Sequence, residues 1–223
     1  MALNMRAARK SQDLAITGWF TRWYDKNTRE KRIGEMREYA GEVKKYLSAN
    51  ANVLEVAPGP GYFSIELAKM GNFNITGMDL SADFIEICKT NAQLENVNIN
   101  FIQGNVSSMP FADNTYDFVF CSAAFKNFKE PITALREMYR VLKNNGMVLI
   151  MDMNHDVSNE KLKEEALKIS NTGFERWFMK RTFKGLCKGA YSKNEFEKMI
   201  KETTFKNSEI KEVGIGFYIY LYK

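Results

Sequence analysis

A chain of 223 residues, 45% hydrophobic and 26% charged, is long enough for one substantial core and too short for two domains of ordinary size. This composition excludes a disordered or membrane-spanning protein, and a net charge of +5 is too small to imply a polyanionic partner by itself. Cys88, Cys121 and Cys187 are odd in number and lack Cys-x-x-Cys spacing, which fits reduced thiols better than a disulfide framework or a zinc site.

Near the N-terminus, Arg6, Arg9 and Lys10 precede a stretch that Asp13, Thr17 and Arg22 interrupt, so neither a secretion signal nor a bilayer span is expected. A cytoplasmic location and no membrane partner follow as expectations. Two helices are read at about 11 to 24 and 29 to 47, the second from Ile33, Met36, Tyr39, Ala40, Val43 and Leu47 at helical spacing. From Asn52, strands and helices alternate: β near 52 to 57, helix 61 to 70, β 73 to 79, helix 82 to 95 and β 98 to 103. A fourth strand, Tyr116 to Cys121, is followed by a helix at 130 to 142, a turn at Asn144-Asn145-Gly146 and a strand from Met147 to Met153. Near-continuous apolar strands suit a parallel sheet covered on both faces. Beyond it lie helical periodicity at 158 to 171, an aromatic and basic stretch from Phe174 to Tyr191, a helix near 192 to 202, and a strand pair around Val213-Gly214-Ile215-Gly216. The expected fold is one α/β domain with a doubly wound, mostly parallel seven-stranded sheet and an antiparallel last strand. Residues 1–48 form a helical cap, 49–153 a cofactor-binding core, 154–203 a helical lid and 204–223 the closing strand pair.

The motif with most chemical content is Val53-Leu54-Glu55-Val56-Ala57-Pro58-Gly59-Pro60-Gly61, followed by Ile75-Thr76-Gly77-Met78-Asp79-Leu80-Ser81. A strand ending in an acidic Gly-x-Gly turn, then a helix and a second strand ending in a carboxylate, is how a βαβ unit cradles a nucleoside. A dinucleotide fingerprint would want a third glycine where Ser64 stands. Pro60 stiffens the turn and lacks an amide donor, and Glu55 suits a cationic amino acid group better than a pyrophosphate.

These motifs, with Gly104-Asn105-Val106, Met109-Pro110-Phe111, Tyr116-Asp117-Phe118-Val119 and Glu137 to Gly146 in order behind them, resemble the class I S-adenosylmethionine-dependent methyltransferases. The small-molecule group that includes the ubiquinone and menaquinone C-methyltransferases is the most similar. The resemblance covers residues 50 to 155 and implies S-adenosylmethionine as cofactor and S-adenosylhomocysteine as product. It places Gly59 and Gly61 against the methionine portion, Glu55 at the ammonium and Tyr24 at the carboxylate. Asp79 falls on the ribose hydroxyls, Leu80, Asn105 and Val106 on the adenine, and Cys121 where the fourth strand meets the ligand. Ala57 replaces the first glycine of the usual motif, Asn105 a usual aspartate, and the segment around Asn127 lacks a histidine that many relatives carry.

In-line methyl transfer requires alignment and exclusion of water but no obligatory catalytic side chain; a base is needed only where the acceptor must lose a proton. The sole histidine, His155, follows the fifth strand and is the candidate. Trp19, Lys126, Asn127, Trp177 and Arg181 are the candidate acceptor contacts, with the aromatic stretch as a lid over a small, partly apolar molecule. Nucleic acid is disfavoured because Cys121-Ser122-Ala123-Ala124 stands where amino-methylating DNA enzymes carry Asn/Asp-Pro-Pro-aromatic. The stretch Arg176 to Lys184 keeps an RNA methyltransferase open, and a non-catalytic cofactor binder is the other alternative. Oligomeric state is not legible.

Overall fold

A computed structural model of the chain describes residues 15–169 and 172–223. Seven strands, β1 (Asn52–Val56), β2 (Asn74–Asp79), β3 (Asn100–Gln103), β4 (Tyr116–Ser122), β5 (Leu142–Met153), β6 (Asn207–Val213) and β7 (Gly216–Tyr222), form one sheet in the order β3-β2-β1-β4-β5-β7-β6. β1 to β5 pair in parallel, while β7 runs antiparallel to both β5 and β6. The doubly wound sheet with an antiparallel last strand is thus present as expected.

Strand alternation sends apolar side chains to both faces. Leu54, Val119, Val148 and Ile150 point into a core closed by α4 (Pro131–Val141) and α7 (Lys193–Lys201). Val53, Phe118, Phe120 and Leu149 point into a second core beneath α1 (Trp19–Lys44) and α2 (Tyr62–Ala68), where Phe63 stacks on Phe120 at 3.9 Å between centroids. Double coverage is why the strands read as apolar runs without polar alternation. β6 at the open edge is the exception: Glu209, Lys211 and Glu212 give it the charged surface that discourages edge-to-edge pairing.

Two expectations are corrected. The two helices read before β1 are one continuous α1 between Trp19 and Lys44, residues 11–14 lying outside the described segments. The polar run thought to separate them bonds back onto its own helix: Asn27 Nδ2 donates to Trp23 O, Thr28 Oγ1 to Tyr24 O, and Arg29 pairs with Asp25 at 2.8 Å. The turn at Asn144 to Gly146 lies inside β5, because Tyr116 pairs with Leu142 but Phe118 with Met147. The extra residues bulge out, with Asn145 at φ 64°. The remaining elements are α3 (Ala82–Leu94), α5 (Asn159–Ile169) and α6 (Gly173–Lys188).

Candidate active site

The sheet order reverses between β1 and β4, and open α/β sheets leave a crevice at the carboxyl ends of such strands. A cavity of about 560 Å³ occupies that place, within the size range of small-molecule sites. The β1–α2 turn forms one wall. Ala57 (φ 55°), Gly59 (φ 56°) and Gly61 (φ 82°) all adopt the left-handed backbone there. A Cβ on Gly59 would meet nothing within 4 Å, so its bare backbone leaves space on the cavity side.

The turn is held from behind. Gly59 N donates to Asp79 Oδ2 at 3.1 Å and Ser81 N to Asp79 Oδ1 at 2.8 Å. Cys88 Sγ, on α3, donates to Gly59 O at 2.9 Å. Asn91 Nδ2 reaches Pro60 O, while its Oδ1 receives Arg29 of α1 at 2.6 Å. Tyr62 OH donates to Asp25, so α1 is bolted across the turn and brings Tyr24, Arg32 and Met36 to the cavity.

Asp79, Leu80, Asn105, Val106, Ala57, Gly59 and Tyr24, all expected at the cofactor, line this one cavity, as do Lys126 and Asn127. Burial pushes the Asp79 carboxyl above its ordinary value, partly opposed by its amide donors. Asn105 Oδ1 accepts from Ser107 N at 2.8 Å, so one of its acceptor positions is already in use. Lys126 is anchored beside the cavity: its Nζ donates to Ala123 O at 2.5 Å and to Asp152 Oδ1 at 3.0 Å, and its amide to Asp152 Oδ2 at 2.8 Å.

Other expected residues are placed elsewhere. Glu55 is behind the turn, its carboxylate accepting from the amide and hydroxyl of Ser64 at the start of α2. Burial raises its pKa to about 7, against the Ser64 hydrogen bonds. Gly61 faces the protein, not the cavity: a Cβ there would lie 2.9 Å from Cys88 Sγ and 3.2 Å from Phe101 Cζ. Gly61→Ala is therefore expected to destabilise the fold by about 2 kcal/mol through overpacking and left-handed strain, read as a lowered midpoint in urea. Cys121 is wholly buried in the core and does not line the cavity. His155 sits outside the lining, with Nδ1 2.7 Å from Asp156 Oδ1. Trp19 and Trp177 are 74% and 59% exposed, and Arg181 lies over the Trp177 ring at 5.9 Å; none of the three lines the cavity. Of the expected lid, Leu186 alone among α6 residues does so, together with Met153 from β5.

Among the cavity residues that the sequence reading missed is Arg32. It is eight residues, or two helical repeats of i+4, after Tyr24 on α1, so the same helix stripe carries both. Its guanidinium pairs with Glu35 at 2.5 Å and its field acts on Glu55.

A glycine turn at the sheet's switch point, an acidic second-strand end and a closing antiparallel β7 define the class: this is the Rossmann-like fold of the class I S-adenosylmethionine-dependent methyltransferases. Residues 54–150 match the methyltransferase-domain family. This match spans β1 to β5, and the chain also resembles curated methyltransferases of ubiquinone and menaquinone biosynthesis. One is the ubiquinone/menaquinone biosynthesis C-methyltransferase of Bdellovibrio bacteriovorus, 31% identical over 58% of this chain and 56% of that protein. A Methanococcus maripaludis protein, crystallised under the provisional description of an S-adenosyl-L-methionine-dependent methyltransferase, shares the fold with a TM-score of 0.73. It is 23% identical, with 91% of each chain covered. The plantazolicin methyltransferase BpumL, solved with a substrate analogue and S-adenosylhomocysteine, superposes at 0.69 over 100% of this chain and 97% of its own, at 16% identity. The chain spans about half the length of the curated relatives it matches.

Proposed function

We propose that this protein is an S-adenosylmethionine-dependent methyltransferase acting on a small, largely apolar acceptor. The observation that carries the reading is the shared cavity in which the Asp79 carboxylate, fixed by Gly59 N and Ser81 N, faces the open side of the glycine turn. An ionised carboxylate there suits the paired hydroxyls of a ribose, Leu80 and Val106 offer apolar surface to a base, and Gly59 leaves room at the backbone. The residues present fit the cofactor. Arg32 and Tyr24, which line the cavity, would hold its carboxylate.

The bound cofactor supplies a methyl group on a sulfonium, whose carbon–sulfur bond breaks as the acceptor's electron pair forms the new bond, leaving S-adenosylhomocysteine. The chain's part is to align the two partners and exclude water. Phe20, Phe84, Phe128 and Met153 supply an apolar wall. Lys126, held by Asp152, is the cationic group beside the acceptor space, positioned to favour an acceptor oxygen that carries negative charge. The curated relatives' names, drawn from ubiquinone and menaquinone biosynthesis, support a ring-bearing acceptor. Three cysteines that are all free and buried support the cytoplasm as its location.

Calorimetry with S-adenosylhomocysteine and with 5′-methylthioadenosine, which lacks the amino acid end, tests the site. Wild-type protein is expected to bind both; Arg32→Met should lose about tenfold in affinity for the first and keep the second, as befits one partly buried charge-assisted contact. No binding of either ligand would end the proposal. Release of S-adenosylhomocysteine with a pooled metabolite extract completes the test. Transfer abolished by RNase would transfer the reading to RNA, and binding without turnover on any fraction would make the protein a sensor or scaffold.

A further inference from the structure

All three tryptophans of the chain are exposed, and none is used by the proposed chemistry. Trp19, Phe20 and Trp23 lie together in the first turns of α1, with Ile16 exposed in the irregular segment just before it. Trp177 lies with Phe174 and Phe178 on the outer face of α6, whose opposite face is fixed to the body of the protein by Phe183 and Cys187 against Leu162 and Ile215. Both segments border one opening, since Ile16 and Phe20 from the first and Leu186, near the C-terminal end of α6, line the same cavity. Clustered apolar exposure of this kind on each helix marks an interaction surface.

The charge beside it selects the partner. α6 holds Arg176, Lys180, Arg181, Lys184 and Lys188 against the single acid Glu175, and that acid closes the capping box with Thr172 at the helix start. Arg181, Lys184 and Lys188 are exposed on the aromatic side. Tryptophan and phenylalanine interleaved with lysine and arginine on an amphipathic helix fit the headgroup region of an anionic bilayer, where aromatic rings sit at the interface and cations meet lipid phosphates. A nucleic acid would need the rings spaced along a groove for stacking, whereas here they crown a convex helix. Among the described residues no helix is long and apolar enough to cross a membrane, so the contact is peripheral.

We propose that the α1 and α6 aromatic stripes dock this protein onto an anionic membrane surface with the cavity mouth facing the lipid. The expectation of no membrane partner considers spanning segments alone; the linear sequence does not show that these rings stay outside the core. Docked in this way, the mouth would receive an apolar molecule directly from the bilayer. The inference does not depend on which reaction the site performs.

Co-sedimentation of the full chain with vesicles of phosphatidylcholine and phosphatidylglycerol, against phosphatidylcholine alone, is the test. Wild-type protein is expected to pellet with the anionic vesicles, with a blue-shifted tryptophan emission, and to be released as salt screens the contact. Phe174→Ser/Phe178→Ser and Lys184→Gln/Lys188→Gln should each bind at least about tenfold more weakly. The altered side chains are solvent-facing, so thermal unfolding should match the wild type. No pelleting with anionic vesicles would overturn the proposal. So would a lipid-independent dimer that the aromatic variant dissolves, which would make the occupant a second copy. A blue shift caused by S-adenosylhomocysteine alone, without vesicle binding, would likewise overturn it and make α6 a closing cover.

Discussion

Asp79→Ala is expected to weaken S-adenosylhomocysteine binding by at least about a hundredfold, because two charge-assisted hydrogen bonds at about 1.5–3 kcal/mol each are lost together. The same carboxylate serves the fold, accepting from Gly59 N and Ser81 N. The alanine variant therefore also loses roughly 1–3 kcal/mol where these amides lose their acceptor. Asp79→Asn separates the roles. Its carbonyl oxygen can keep one amide, so stability should recover further than affinity, which needs acceptors for both ribose hydroxyls. Calorimetry and urea unfolding on the three proteins read the two quantities independently. Affinity within about fivefold of wild type in folded Asp79→Ala, against a loss expected from charged hydrogen bonds, would remove Asp79 from the cofactor site. Because burial raises the Asp79 pKa, affinity should also fall on acidification sooner than it would for an exposed aspartate.

The second large effect belongs to Glu55. Its folded pKa of about 7 stands above the ordinary 4.5, so between those values the folded state holds a proton that the unfolded chain has released. Stability linked to this group is full below about 4.5, declines as pH rises and is lost above about 7. The whole change is on the order of 3 kcal/mol for a shift of that size. Glu66 and Glu137 run the other way: Arg37 and Lys69 hold the first carboxyl down against its burial, and Arg140 the second, with Met109 N assisting. The whole-protein profile therefore mixes opposite slopes. Glu55→Gln isolates its share, since the amide can still accept from Ser64 and does not titrate. Relative to wild type, the variant should gain stability from about pH 5 to about pH 7 and level off above it in urea titrations. Parallel curves for the two proteins would show that Glu55 is not titrating in that window.

Fold class was legible in the sequence because each strand announces itself by length, apolar character and flanking turn residues, and because a βαβ grammar leaves few ways to order them. The break within α1 was misread for a physical reason: Asn27 and Thr28 discourage helices when isolated, yet here their side chains bond to carbonyls one turn back. The near wall of the site was also legible. Gly59, Asp79, Leu80, Asn105 and Val106 stand at strand ends whose direction the topology fixes, and all reach the cavity. What required the fold was side-chain direction. Glu55, near the end of β1, and Gly61, in the turn after it, both point into the protein, and Cys121 is buried although its neighbour Ser122 reaches the cavity. Arg32 was hidden because a cation on a charged helix looks like solvated surface until that helix is laid across the β1–α2 turn. Among the lid aromatics, chain order gave the neighbourhood but not the facing.

Ala57 and Ala123 close the crevice ends of β1 and β4, and both hold left-handed backbone, at φ 55° and 56°. Each costs about 1 kcal/mol that a glycine there would avoid. A glycine would also widen the unfolded ensemble by a comparable free energy, so the exchange is nearly neutral for stability while differing in another respect. With a Cβ at each lip, the two loops have fewer alternative basins to visit before a ligand arrives. The alanines thus keep the cradle preorganised, and the entropy lost on ordering it is charged to folding and not to binding.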